Sequence, residues 1–265
     1  PASVTTIGDN AFEGASSLEV VAFASGSRLT STGDYAFYNT TALTTIAIPA
    51  SVVSIGDNAF AIPFTDPPTP SSLASVTFAS GSQLSNIGSN AFENASALTS
   101  IAIPANVTDI DDYAFSGASS LATVTFAPTS KLTYIGQGAF YDVALLDTIT
   151  IPASVTEIDD YAFDGASSLS TIYFLGNPSI AIAASAFDNT PEELVAYGII
   201  GFAPEGAHGL TFEVGVYTAT YSSTGGTSRK KCIASAGGLS SRRASEGQLR
   251  LFRFTTGQSN FCGSD

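Results

Sequence analysis

The stretch LTTIAIPASVVSIGDNAF, from Leu43 to Phe60, contains the pattern that decides the fold. Almost the same letters return as LTSIAIPANVTDIDDYAF from Leu98 to Phe115, and a shorter version, PASVTTIGDNAF, opens the chain. An Ala-Phe pair marks each copy, with gaps of 25, 23, 32, 23, 25, 23 and 24 residues between successive phenylalanines. These residues are Phe12, Phe37, Phe60, Phe92, Phe115, Phe140, Phe163 and Phe187. Self-similarity at this period predicts a solenoid.

Each copy also contains two short segments with apolar periodicity. After the Ala-Phe pair comes Leu-x-x-Z-x-Z, where Z is apolar, as in Leu98, Ile101 and Ile103. Before the pair comes a second apolar couple, as in Val107 and Ile110. Alternation with a period of two residues predicts short strands. We therefore expect a repeat solenoid, a parallel β-sheet stack of about eight coils with short turns, in which the phenylalanines form a column inside.

The chain is expected to divide into a solenoid, residues 1–204, and a small β-rich C-terminal module, residues 205–265, where the repeat stops. The solenoid has 19 acidic groups against Arg28 and Lys131, a net charge of −17, whereas the module has seven basic groups against four acidic ones, a net charge of +3. This division predicts oppositely charged partners, or attraction between the two parts. A solenoid with this negative charge would repel a phosphate backbone, so we do not expect a nucleic-acid partner.

Two irregularities interrupt the pattern. The 32-residue gap contains AIPFTDPPTPSS, residues 61–72, whose four prolines predict a loop outside the stack, either a tolerated insertion or a contact loop on the rim. Alternate copies replace IPxSV by the longer FASGSRL, FASGSQL or FAPTSKL, and Thr32 replaces an Ile. We expect these changes to alter the turns and to leave the stack intact.

The unit L-x-x-I-x-I-P-x-S-V-x-x-I-G-x-x-A-F resembles the BspA-type leucine-rich repeat over about the first three-quarters of the chain. The resemblance implies a curved parallel-sheet solenoid, usually on secreted or cell-surface proteins. It also implies adhesion and the binding of host or matrix proteins. We therefore expect an extracellular or cell-surface location.

The Leu-x-x-Z-x-Z strands are expected to present a flat, almost uncharged surface, because side chains alternate between core and solvent in a parallel ladder. Short hydroxyl side chains lose little entropy on contact, so this surface is suited to docking a protein or a glycan. The predicted binding face comprises Thr45, Ser75, Thr77, Ser100, Thr123, Thr125, Thr148, Thr150, Thr171 and Tyr173. The alternative is that these residues serve strand propensity alone.

A file of polar residues lies three positions before each Phe, and Asp9, Asp34 and Asp57 occupy adjacent coils. The preferred interpretation is a turn in which each Asp bonds to nearby backbone. A calcium ion shared by these three carboxylates is the alternative, since calcium accepts six to eight oxygen ligands. No cofactor is expected.

Three sequons make Asn39, Asn94 and Asn106 candidates for N-glycosylation. Cys232 and Cys262 are the only cysteines. A disulfide between them would close a loop of about 30 residues and would suit an oxidising, extracellular setting, whereas two buried thiols are the alternative.

Residues suited to catalysis are few. His208 is the only imidazole, it lies outside the repeats, and no spacing of a nucleophile with His is present, so we expect no enzymatic activity. No apolar run reaches the length of a membrane span.

The leading hypothesis is a non-catalytic extracellular repeat protein, a structural or adhesive scaffold that assembles head-to-tail into filaments. The chain starts at a coil boundary without a polar cap, and the basic module of a neighbouring copy would cover that end. The candidate assembly residues are Arg229, Lys230, Lys231, Arg242 and Arg243.

Two alternatives remain open. The first is a monomeric adhesin that binds a host protein or a glycan through the sheet face. The second is an ice-binding protein, for which the complete Thr-x-Thr pairs are Thr123/Thr125 and Thr148/Thr150.

Overall fold

The computed structural model describes residues 1–65, 67–176, 180–192, 194–198 and 218–221. Within these ranges the chain forms 17 strands. Eight two-residue strands precede the Ala-Phe pairs: β1 Thr6–Ile7, β3 Ser31–Thr32, β5 Ser54–Ile55, β7 Asn86–Ile87, β9 Asp109–Ile110, β11 Tyr134–Ile135, β13 Glu157–Ile158 and β15 Ala181–Ile182. The others follow those pairs or close the chain: β2 Val20–Val21, β4 Thr45–Ile48, β6 Ser75–Phe78, β8 Ser100–Ile103, β10 Thr123–Phe126, β12 Thr148–Ile151, β14 Thr171–Phe174, β16 Leu194–Gly198 and β17 Thr218–Tyr221.

The strands form two sides of a parallel solenoid, which confirms the predicted fold class. The eight short strands join in one continuous sheet, β1-β3-β5-β7-β9-β11-β13-β15, which we call the narrow sheet. The longer strands form the wide side, in three sheets: β2-β4-β6, β8-β10 and β12-β14-β16-β17. All these pairings are parallel except that of β16 with β17, which is antiparallel.

The predicted phenylalanine column fills the core. Successive rings of the eight phenylalanines have centroids 5.1–5.4 Å apart and planes within 3–8° of parallel. The backbone follows the same step, as the N–H of Phe37 donates to the carbonyl of Ala59 at 2.8 Å. Five of the rings are among the largest fully buried side chains, and stacked pairs add about 0.5–1.5 kcal/mol each beyond their burial. The column is thus a principal stabilising element.

The Ala-Phe segments are turns, and no single helical turn forms there. The residues two before and two after Phe have left-handed backbone, with φ of 56° at Tyr35 and 58° at Asn39. Asn, Asp and Gly tolerate this conformation better than other residues. Most coils place Asn, Asp or Gly at these positions, but Tyr35, Tyr113 and Tyr161 adopt it as well.

The insertion forms a loop outside the stack, as predicted. Ala61 and Ile62 still belong to the core, at 0% and 2% exposure, whereas Phe64 is 83% exposed. The hydroxyl of Thr65 accepts the N–H of Thr69 and donates to the carbonyl of Pro67, both at 2.8 Å. These short-range bonds tie the loop to itself.

The wide side is interrupted after strands that end in Phe. β6 and β8 lie side by side, as do β10 and β12, but no ladder joins either pair. Strands that end in Ile pair with the next strand over all four residues, as in β4–β6, β8–β10 and β12–β14. The interruption therefore depends on the order of the two coil types.

A missing backbone donor accompanies the interruption. The carbonyl of Ile48 accepts the N–H of Ala79, the first residue of the next turn, at 3.0 Å. One coil later the corresponding residue is Pro104, which has no N–H to donate to the carbonyl of Phe78. Ladders nevertheless join β14 to β16, where Gly198 lies opposite Phe174, and β2 to β4 over two residues, although Pro49 follows β4.

The sequence patterns did not reveal β16. The strand register places Ala196 opposite Ile172 and Gly198 opposite Phe174, so small residues stand where the pattern has large apolar ones. β17 lies inside residues 205–265, the segment expected to form a β-rich module.

Candidate binding surfaces

The predicted binding face lies on the wide side, as its alternating pattern indicated. Strand registers align Thr45 with Ser75 and Thr148 with Thr171, so the side chains form files across the coils. The burial alternates as predicted, for example exposed–buried–exposed–buried along β4 and β8. Six of the ten predicted residues are exposed and four are half-buried: Thr45, Thr77, Ser100, Thr123, Thr125 and Thr148, then Ser75, Thr150, Thr171 and Tyr173.

The C-terminal end of this face is aromatic. Tyr197 lies opposite Tyr173 in the register of β14 and β16, and their rings stack with centroids 5.2 Å apart. Tyr197 was not predicted, because strand β16 lacks the apolar pattern of the other strands. A Tyr seven residues before the end of the predicted solenoid at residue 204 was the available signal.

The complete Thr-x-Thr pairs do not form one lattice. Thr123 and Thr125 belong to β10, and Thr148 and Thr150 belong to β12, and no ladder joins these strands. The ice-binding hypothesis depends on a regular array of Thr-x-Thr pairs. The interruption of the sheet falls between the two complete pairs. The structure thus offers less regularity than that hypothesis needs.

The aspartate file bonds to the backbone of the following coil. Oδ1 of Asp9, Asp34, Asp57 and Asp112 accepts the N–H of the equivalent residue one coil later, at 3.0, 2.9, 2.8 and 2.9 Å. This agrees with the turn interpretation and extends it, since the bonds run between coils. Among the described residues, no group of three or more His, Cys, Asp or Glu is arranged to hold a metal ion.

Glycine accompanies this file for a steric reason. A Cβ at Gly33 would meet Oδ1 of Asp9 at 2.2 Å, and a Cβ at Gly136 would meet Oδ1 of Asp112 at 2.7 Å. Asp111 replaces this Gly where the preceding coil has Ser89 in place of Asp. The carboxylate that reaches the next coil thus requires a residue without a side chain there.

Acidic and phenolic groups meet on the outer side of the narrow sheet. Asp111 accepts a bond from Nδ2 of Asn86 at 2.8 Å, and the hydroxyl of Tyr134 donates to Asp159 at 2.8 Å. Burial raises the pKa of the Asp111 carboxyl, and neighbouring carboxylates, Asp109 first, add to the rise. Burial, then the bond to Asp159, raises the pKa of Tyr134.

The carboxylates described above line an outer surface of the solenoid, and their hydrogen bonds join one coil to the next. No nucleophile and base are arranged for catalysis among these residues. His208, the only imidazole, lies outside the described residues. Within the described ranges, no helix is long and apolar enough to cross a membrane.

The three sequon asparagines differ in how their side chains are held. Nδ2 of Asn94 donates to the carbonyl of Ile62, and Nδ2 of Asn106 donates to the carbonyl of Ser82, both at 2.9 Å. Asn39 is half-buried, with left-handed backbone at φ 58°. Asn94 and Asn106 are thus held to the backbone through the nitrogen that an N-glycan would modify.

The remaining predicted sites lie outside the described residues. They are the cysteine pair and the basic assembly residues, namely Cys232, Cys262, Arg229, Lys230, Lys231, Arg242 and Arg243.

Several solved structures resemble this chain, and two of them are leucine-rich repeat proteins from bacteria. A leucine-rich repeat protein from Bacteroides ovatus is 30% identical over 71% of this chain and 45% of its own, with a TM-score of 0.58. A leucine-rich repeat protein from T. pallidum is 28% identical over 63% of this chain and 73% of its own, with a TM-score of 0.50. This chain thus spans 45% of the length of the Bacteroides ovatus protein.

No curated protein sequence matches the chain. The family model of the BspA type leucine-rich repeat region matches residues 1–95 and 85–197, in six copies. These residues are the part of the chain that forms the stacked coils, and they make up well over half of its length. The chain belongs to the BspA-type leucine-rich repeat family.

Proposed function

We propose that this protein is a non-catalytic scaffold, outside the cell or on its surface, that binds a protein partner through the wide side. The observation that supports this is the composition of the wide face, the ten residues identified above from Thr45 to Tyr173. Uncharged side chains, six of them exposed and all but Tyr173 short, run in files across six strands of an otherwise strongly acidic solenoid. Such side chains are ordered at little entropic cost on contact.

The face alone is small for a stable complex. Six strands of four residues span roughly 25 by 13 Å, or about 300 Å². A typical interface buries about 800 Å² on each partner. The partner therefore has to contact the rim as well.

The proline-rich loop supplies the nearest rim contact. Residues 63–72 lead directly into the strand β6 of the wide face, and Phe64 at 83% exposure is the most exposed large apolar side chain described. Aromatic residues often dominate binding energy at interfaces. In this proposal, Phe64 is an anchor beside the flat face.

The test is binding of purified matrix and serum proteins to the immobilised full chain, measured by biolayer interferometry. The double variant Thr123→Arg/Thr148→Arg should lose binding, and Phe64→Ala should weaken it at least tenfold. The control is Ser119→Arg/Ser167→Arg, which places equal charge at exposed positions after the Ala-Phe turns. Equal binding by the face variant and the control would contradict the proposal.

A second candidate, head-to-tail assembly, rests on the charge division between a solenoid of −17 and a C-terminal segment of +3. Opposite charges attract more strongly at low ionic strength. Sedimentation velocity should show association at low salt that high salt reverses and that Arg242→Glu/Arg243→Glu abolishes. A strictly monomeric particle at low salt and high concentration would exclude assembly.

A further inference from the structure

A shallow groove of about 410 Å³ lies at the corner where the wide side ends. Its walls come from segments 78–83, 102–106 and 125–127. The outer segments belong to the longer turns that follow β6 and β10. The middle one is the shorter turn after β8, so it lies recessed between them.

The groove contains a backbone acceptor that the fold leaves without its ladder donor. Phe78 and Pro104 both line it, and Pro104 has no N–H to donate to the carbonyl of Phe78. The carbonyl of Ile103, by contrast, accepts the N–H of Ala127 at 3.2 Å. A buried or half-buried carbonyl gains from a hydrogen-bond donor, so a ligand here should bring one.

The side chains that line the groove further limit the kind of ligand that suits it. None of the lining residues is charged, although the solenoid as a whole has a net charge of −17. Phe78 and Phe126 are half-buried, and Nε2 of Gln83 donates to the carbonyl of Gly81 at 2.9 Å, which leaves Oε1 as an acceptor. Small residues, Ala79 and Ala105 among them, allow a flat group to approach closely.

These features together suit a ring with one apolar face and several donating hydroxyl groups. An uncharged sugar has both, and each of its hydroxyl groups can rotate to donate, whereas half of the polar backbone groups of an extended peptide are carbonyls that only accept. A cationic partner would be drawn to the acidic narrow sheet instead, and an anionic one would be repelled by the solenoid.

The sequence repeats the groove every two coils. Pro49 and Pro152 follow Ile-ended strands as Pro104 does, and each lies between coils with longer turns. Two coils advance about 10 Å along the solenoid. A polymer with repeating rings would therefore meet equivalent sites in series, and affinity should grow with its length.

We propose that the corner groove is a binding site for an uncharged, extended polysaccharide. The groove adjoins the wide face and shares Thr125 with it, but the proposal does not depend on the protein-binding function described above. The apolar sides of the sugar rings contact Phe78 and Phe126, and sugar hydroxyls donate to the carbonyl of Phe78 and to Oε1 of Gln83.

The experiment is calorimetric titration of the full chain with neutral oligosaccharides of two to eight rings, from β-glucan, α-glucan, mannan and chitin. We expect at least one series to bind, with affinity that rises with length. Ala79→Arg and, separately, Ala127→Arg should each lower that affinity at least tenfold by filling the groove. Ser167→Arg, away from the groove, should leave the affinity unchanged.

Circular dichroism establishes that each variant is folded, and Gln83→Ala is a milder change that removes one acceptor and should weaken binding a few-fold. The proposal is overturned if no neutral series binds, if only acidic oligosaccharides bind, or if the arginine variants bind as the unmodified chain does. Loss of sugar binding in Thr123→Arg/Thr148→Arg, with the groove variants unaffected, would move the sugar to the wide face and would also overturn it.

Discussion

The two sides of the solenoid are built from the same coils but are held together differently. The narrow sheet runs unbroken through eight strands, whereas the wide side is divided into three sheets. The core-facing position of the narrow sheet holds a β-branched residue in every coil, whereas the outward position varies from coil to coil. On the wide side, Phe-ended and Ile-ended strands alternate, and Pro removes a donor in every second coil. The unbroken sheet is thus the one whose core-facing residues are alike in every coil.

The largest expected effect is the difference in stabilisation between a phenylalanine of the core column and one at the end of a wide-side strand. Phe115 in the column is 0% exposed, so Phe115→Ala should lower the free energy of unfolding by about 3–5 kcal/mol. Phe126 on the wide side is half-buried, and Phe126→Ala should cost less than half as much. Chemical denaturation followed by circular dichroism measures both. Equal losses would contradict the distinction.

The next effect concerns the close approach of Asp to Gly between coils. Gly136→Ala should lower the free energy of unfolding by about 1–3 kcal/mol, because its Cβ would meet Oδ1 of Asp112 at 2.7 Å and backbone at 2.8 Å. Part of this loss should disappear in the Asp112→Ser background, which copies the pairing of Ser89 with Asp111. Additive losses in the double variant, measured by denaturation, would show that the carboxylate is not the obstacle.

Thr32 is a defect in the narrow sheet that can be repaired. Its hydroxyl is buried without a hydrogen-bond partner, and the side chain is 2% exposed. Thr32→Val keeps the shape and should raise the free energy of unfolding by about 1 kcal/mol. Thr40→Val is the matched control, because that hydroxyl donates to the carbonyl of Phe37 at 2.7 Å and its loss should destabilise the protein. Destabilisation by both changes would contradict the assignment.

Restoring a donor should begin to join the separate sheets. Pro104→Ala supplies an N–H opposite the carbonyl of Phe78, and we expect that amide to exchange with solvent at least tenfold more slowly than the exposed turn amide of Ser80. Hydrogen exchange followed by NMR measures both amides. Unprotected exchange at position 104 would show that the bulk of Phe78 alone keeps the strands apart.

The smallest effect is the pH dependence that Asp111 brings to the narrow sheet. Burial raises the pKa of its carboxyl, so ionisation opposes folding. The contribution to stability is complete below the ordinary carboxyl range and is lost as the pH rises through the raised value. Asp111→Asn should therefore raise the Tm slightly near pH 7 and leave it unchanged near pH 3, as measured by calorimetry. An equal rise at both pH values would point to another cause.

Most of the fold could be predicted from the sequence because large apolar residues recur at the same positions in every coil. The phenylalanine column, the two strands of each coil and the exposed hydroxyl files all follow from spacing alone. β16 could not be predicted, because Ala196 and Gly198 carry no apolar signal and only their register with Ile172 and Phe174 identifies them.

The candidate sites were less predictable because they depend on contacts between coils. Spacing identified the aspartate file but not its acceptance of N–H groups from the next coil, for which the accompanying glycines were the available signal. The corner groove was not predicted either, because it arises from the lengths of the turns in three successive coils. The prolines of IPxSV mark the repeat in the sequence, and the place of their missing N–H groups is defined only by the register of neighbouring strands.

The alternation of strand ends also determines how the chain can change length. If one coil were deleted, two Phe-ended strands or two Ile-Pro coils would become neighbours, and the turns on that corner would lose their matching lengths. Deleting or adding two coils preserves the alternation of strand ends and of turn lengths. The natural module for duplication, recombination or engineering of this solenoid is therefore a pair of coils, about twice the period that marks the phenylalanine column.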